Sequence, residues 1–143
     1  MSIYGSCDCK NIEIVWHIAD QELVPRACQC EYCRSKSAAY VSRPNTRFDA
    51  IIHNRELHRQ VQHGSNSASF HECSNCEQVV FVTAEIDGDV YGALNAKQFV
   101  GQSAVSTPVA MNFSTQSGEE KRQRWRQNWC RPVLIKVSLS DKR

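Results

Sequence analysis

Long apolar runs are missing from this chain of 143 residues: no uninterrupted stretch exceeds the four of residues 79–82. A bilayer-spanning helix needs roughly 20 apolar residues, so a helical membrane span is excluded. The first residues, 1–7, have neither a basic region nor the apolar run of about 7–15 residues that marks a secretory signal, and a cytoplasmic address is the expectation. Charge of one sign is also in small excess, with a formal net charge of +2. A disordered chain would carry more net charge and fewer apolar residues than the 41% found here. Repeats, low-complexity segments and an obvious linker are likewise missing. At about 100–200 residues per domain, the length predicts one domain spanning 1–143.

Cysteine, by contrast, is abundant at eight residues. In a reducing compartment that number points to metal or catalysis more than to disulfides. Seven of the eight are clustered as Cys7-Asp8-Cys9, Cys28-Gln29-Cys30-Glu31-Tyr32-Cys33 and Cys73-Ser74-Asn75-Cys76, with Cys130 alone. A Cys-x-x-Cys turn aims two sulfurs at one ion about 2.3 Å away, and a Cys-x-Cys does so where the backbone bends. Metal-bound cysteines are thiolates. Two zinc sites, one with four thiolates and one with three, would bring the formal charge to about −1. Bulk charge therefore weighs against nucleic acid as a partner.

The remainder reads as short strands. Ile12, Ile14, Trp16 and Ile18 alternate with Glu13, Val15 and His17, the period of a half-buried strand. Further strands are expected over 47–53, 56–63, 68–72, 78–86, 90–94, 108–113 and 133–139. Hairpin turns are expected at His63-Gly64-Ser65-Asn66-Ser67 and at Asp87-Gly88-Asp89. One late helix begins at Ser117, with Glu120 three residues on as a capping partner, and it places Trp125 and Trp129 on one face before Pro132.

Four ligands close a tetrahedral structural zinc, whereas three leave a position for water or substrate. The seven clustered cysteines divide accordingly: Cys7 and Cys9 with Cys73 and Cys76 as a staple, Cys28, Cys30 and Cys33 as an open site. The triplet would instead be closed and structural if Cys130, His17, His53 or His71 supplied a fourth ligand. Open, it would activate a thiol as thiolate.

Three segments carry a specific resemblance: Gly5-Ser6-Cys7-Asp8-Cys9, Cys28-Gln29-Cys30-Glu31-Tyr32-Cys33-Arg34, and Phe70-His71-Glu72-Cys73-Ser74-Asn75-Cys76. Together with Tyr91-Gly92-Ala93-Leu94-Asn95 they resemble the glutathione-dependent formaldehyde-activating enzymes, the group that includes centromere protein V. The motif-bearing part runs from about residue 5 to 99. The resemblance implies a mainly β fold of curved antiparallel sheets, called Mss4-like, with short helices beside the late one. It implies a structural zinc on Cys7, Cys9, Cys73 and Cys76 and a catalytic zinc on Cys28, Cys30 and Cys33. The implied chemistry is carbon-sulfur lyase activity on an adduct of a small-molecule thiol such as glutathione with an aldehyde such as formaldehyde. Arg34, next to the triplet, is a candidate to orient a substrate carboxylate. The chain departs from the family pattern at Lys10 and Glu77, where glycine is usual, at Gln29, where histidine is common, and at Ala38-Ala39.

A competing reading is a non-catalytic zinc-ribbon-like module that contacts nucleic acid or protein. Lys121, Arg122, Arg124, Trp125, Arg126, Trp129 and Arg131 interleave basic and aromatic side chains as a strand-binding surface would. The plainer interpretation makes the tryptophans the buried face of a packed helix.

Overall fold

The alternation along Ile12–His17 produces the expected half-buried strand, with Ile12, Ile14 and Trp16 fully buried and Glu13 and Val15 only partly so. The computed structural model describes residues 2–18, 23–28, 31–62, 68–99, 108–111 and 117–137. Their strands are β1 (Ser2–Ser6), β2 (Ile12–His17), β3 (Arg26–Cys28), β4 (Tyr40–Val41), β5 (Arg47–Ile52), β6 (His58–Gln62), β7 (Ser69–Cys73), β8 (Gln78–Ile86), β9 (Asp89–Asn95), β10 (Val109–Met111) and β11 (Val133–Val137). Two α-helices join them, α1 (Glu31–Ser35) and α2 (Gly118–Asn128). The fold is mainly β.

The strands form a four-stranded sheet in the order β1-β2-β5-β11 and a seven-stranded sheet in the order β10-β3-β4-β9-β8-β7-β6. Every pairing among β1 to β9 is antiparallel. The two late strands differ: β10 runs parallel to β3 and β11 parallel to β5. The segment after Phe99 thus lays one edge strand on each sheet.

Two apolar layers result. Ile12, Ile14, Trp16, Phe48 and Ile52 of the small sheet meet Val41, Val80, Phe81 and Leu94 of the large one. On the other face of the large sheet, Tyr40, Val79, Val82, Ala84 and Tyr91 are covered by Cys33 from α1, by Trp125 from α2 and by Trp129, the residue that caps α2. Gly92 marks a close approach between the sheets. A β-carbon there would lie 2.9 Å from Phe48 Cζ and from Val133 Cγ2 of the small sheet.

Local signals held where they were strong. Asp87 and Gly88 have φ of 55° and 88° and form a two-residue turn between paired Ile86 and Asp89, the left-handed geometry an Asp-Gly hairpin favours. Ser117 and Glu120 make the reciprocal capping box of α2. The helix ends at Asn128, before Pro132, and Trp125 within it stacks on Trp129, its C-cap, at 4.8 Å, both buried. The stretch expected as a strand from residue 56 opens instead with a 3-10 turn, Arg55–Leu57, because the Asn54 side chain accepts from the Glu56 amide. Strands β3 and β4 and helix α1 are too short to have left a period. The expected turn at 63–67, the ends of the expected strands at 112–113 and 138–139, and Cys30 lie outside the described residues.

Candidate metal centre and the cysteine triplet

Two tight turns build the first cysteine group, one from each sheet. After β1, Cys7 accepts from the Lys10 amide at 3.0 Å, and Lys10 takes φ of 65° to bring the chain back to β2. After β7, Cys73 accepts from the Glu77 amide at 2.8 Å, and Glu77 takes φ of 57°. Both left-handed positions follow a cysteine pair directly. Both are also the places where the resemblance implies glycine, the residue that adopts this conformation without strain. The departures therefore bear on turn strain and leave all four sulfurs in place.

The turns interlock. The Cys9 amide donates to Cys76 Sγ at 3.2 Å, the Ile12 amide to Cys7 Sγ at 3.4 Å, and the Asp8 amide to the Gln78 side chain at 2.9 Å. The four sulfurs all lie within 4.8 Å of one another, with Cys7 to Cys9 at 3.8 Å and Cys9 to Cys73 at 3.6 Å. A disulfide would need about 2.05 Å. A tetrahedron with 2.3 Å metal-sulfur bonds has edges of about 3.8 Å, so the sulfurs stand close to the spacing that one ion demands. The group can hold a metal ion, and its all-thiolate donor set suits zinc. Without a metal the sulfurs are unlike one another. Burial pushes the Cys7 thiol up to about 12, whereas the Asn75 side chain, by hydrogen bonding, leads the effects that lower the Cys9 thiol to about 6.

Of the second group, Cys33 lies buried in α1, the backbone of Cys28 ends β3, and Cys30 lies outside the described residues. The expected grouping of these three sulfurs is thus not among the described contacts. Arg34 is exposed in the last turn of α1. Of the four residues weighed as a closing ligand, the three histidines have side-chain partners elsewhere. His17 contacts Asp49 and His53 contacts Glu13. His71 is buried between His58 at 2.9 Å and Thr83 at 2.8 Å, and burial lowers its imidazole to about 3, which keeps it neutral. Cys130 is fully buried, its backbone paired with Gly92, and burial raises its thiol.

Sequence pattern alone does not single out Glu72. The carboxylate of Glu72, beside Cys73, is buried and accepts from Tyr32, inside the triplet, and from Arg59. Its signal was an acidic residue two positions after Phe70, on the same strand face.

The fold and its interlocked cysteine turns define a class: a two-sheet β protein in which a cysteine turn from each sheet meets the other at metal-ligand spacing. The sequence model of the glutathione-dependent formaldehyde-activating enzyme matches residues 2–99, and the chain belongs to that family. A solved protein of Rhodobacter sphaeroides shares the fold, with a TM-score of 0.58 at 18% identity, over 76% of this chain and 99% of the other. No curated protein matches the chain.

Proposed function

We propose that the protein is a zinc-dependent carbon-sulfur lyase that forms or cleaves a thiol-aldehyde adduct such as S-(hydroxymethyl)glutathione. Cys7, Cys9, Cys73 and Cys76 would hold a structural zinc, and Cys28, Cys30 and Cys33 a catalytic one. The observation that carries the reading is the meeting of the two cysteine turns at metal-ligand spacing within a family match that spans all three cysteine motifs. A zinc with an exchangeable position lowers the pKa of a bound thiol and polarises a carbonyl. In the addition, the substrate sulfur forms a bond to the aldehyde carbon and the thiol proton ends on the carbonyl oxygen; cleavage is the reverse. The chain's part is to orient the reactants. Arg34 is exposed beside Cys33 and free to pair with a thiol substrate's carboxylate. The engagement of the His17, His53 and His71 side chains elsewhere supports an open triplet.

The chain acts as one domain, 1–143, a reading supported by β10 and β11, which add to both sheets. A cytoplasmic address agrees with the free thiols of Cys7, Cys9, Cys73, Cys76 and Cys130. No helix among the described residues is long and apolar enough to cross a membrane. The binding-module alternative loses its best support in α2: the tryptophans are buried, and Arg122, Arg126 and Arg131 pair with Glu119, Asp87 and Asp89.

The test joins zinc content to activity. Purified without chelator, the protein should carry two zincs and accelerate exchange between formaldehyde and its glutathione adduct. Cys30→Ser should carry one zinc, melt close to the parent and lose the acceleration. No acceleration above background in the parent refutes the named reaction.

A further inference from the structure

Strand β7 presents His71 and Cys73 to the core between the sheets and Phe70 and Glu72 to the helical layer. A carboxylate on that second, apolar face is costly to bury unless it is fully compensated. Glu72 is 2% exposed and is met from three sides. Tyr32 of α1 donates its hydroxyl to Oε2, Arg59 of β6 donates through Nε at 2.9 Å to Oε1, and Lys36 Nζ stands 3.7 Å from Oε2. Tyr32 and Lys36 flank Cys33, and the Lys36 amide donates to the Tyr32 carbonyl at 3.2 Å. The same lysine reaches the cysteine turn itself, donating to the Glu77 carbonyl at 3.3 Å, while Arg59 pairs with the Glu77 carboxylate at 2.9 Å. Below this layer the Tyr32 ring packs on Phe70 at 4.7 Å. The Tyr32 hydroxyl and the Lys36 ammonium thus both reach residues that flank Cys73 and Cys76, Glu72 on one side and Glu77 on the other.

We propose that Glu72 is a positioning residue that locks α1, and with it the Cys33 thiol, onto the turn carrying Cys73 and Cys76. The two cysteine groups are then held in one geometry by a buried polar lock, and loosening that lock frees the triplet's helix while both sheets stay intact. The effect on catalysis rests on the lyase reading above; the docking of α1 does not.

Hydrogen exchange by mass spectrometry on the full zinc-replete chain tests this. The reporters are the amides of Lys36, Ser37 and Ala38, which donate to Tyr32, Arg34 and Cys33. A charge-assisted hydrogen bond contributes enough that its loss should accelerate local opening about tenfold or more. Glu72→Gln is expected to raise exchange over residues 31–38 by that factor and to leave residues 78–95 at the parent rate. Tyr32→Phe should act in the same direction, and the double variant should exceed Glu72→Gln by less than the product of the two effects. Glu13→Gln, which removes a carboxylate bonded to Tyr4 in the other sheet, should leave residues 31–38 unchanged. In the adduct-exchange assay Glu72→Gln should lower kcat at least tenfold with KM near the parent value. Parent-like exchange of residues 31–38 in Glu72→Gln, or acceleration spread evenly over the chain, overturns the proposal. Should Glu72→Gln fail to fold, Tyr32→Phe, which keeps the carboxylate paired with Arg59, decides by the same readout. A parent without lyase activity but with the expected exchange pattern sinks the lyase reading and leaves the lock standing.

Discussion

Replacing Gly92 by alanine sets two effects of opposite sign against each other. Glycine inside a strand costs roughly 0.5–1 kcal/mol relative to alanine, so local preference alone makes Gly92→Ala stabilising. The tertiary contacts say otherwise. The new methyl would lie 2.9 Å from Phe48 Cζ, Val133 Cγ2 and Val82 O, against a favourable separation of about 3.5–4.0 Å. The first two atoms belong to side chains that can shift; the third is the backbone of the neighbouring strand. Gly92 is also tied on its other edge, donating to the Cys130 carbonyl at 3.0 Å and accepting from its amide at 2.8 Å, so β9 cannot simply slide away. Overpacking costs about 1–3 kcal/mol. Taken near the top of that range and reduced by the propensity gain, the net destabilisation is about 1–2 kcal/mol. At about 2–4 °C per kcal/mol for a chain of this size, Tm should fall by about 2–8 °C in a zinc-replete thermal melt. Adding Val133→Ala, which removes one of the three clashing atoms, should cost less in the Gly92→Ala background than in the parent. An unchanged or raised Tm for Gly92→Ala refutes the argument that the sheets meet at this residue.

Removing the metal should be more severe. Chelation or Cys76→Ser undoes a tie between turns of both sheets and should lower stability by several kcal/mol, given the roughly 10–16 kcal/mol that structural zinc contributes to small domains; a Tm indifferent to chelator would contradict the staple. At Lys10, with φ of 65°, valine should destabilise by at least about 1 kcal/mol while glycine does no harm, as read from paired denaturant titrations. Asp49 is held below the usual carboxylate range first by hydrogen bonds from Arg47 and then by His17. Its stabilisation is complete above the unfolded value, near 4, and is lost as pH falls through the lower folded value, so Asp49→Asn should flatten the acid limb of a stability-pH curve. Alkylation followed by peptide mapping should leave Cys130 unmodified in the folded protein, because the thiol is fully buried.

What the sequence determined by itself was local. The alternation of Ile12–His17, the Asp87-Gly88 turn and the Ser117 capping box depend on residues within a few positions of each other, and each element formed where its pattern stands. The cysteine spacing likewise announced the two turns, since Cys-x-Cys and Cys-x-x-Cys constrain only a few bonds. Tertiary structure decided which turns meet. Cys9 and Cys73 are 64 positions apart and come within 3.6 Å only because β2 and β8 belong to sheets packed face to face. The same packing made Gly92 a contact between sheets, hid the tryptophans of α2, and set β10 and β11 parallel to their partners. It also turned Glu72, one more acidic residue in the sequence, into a buried anchor for α1. No local period encodes such an anchor, because its three donors come from a helix, the turn after it and a neighbouring strand, brought together by the burial of apolar surface around them.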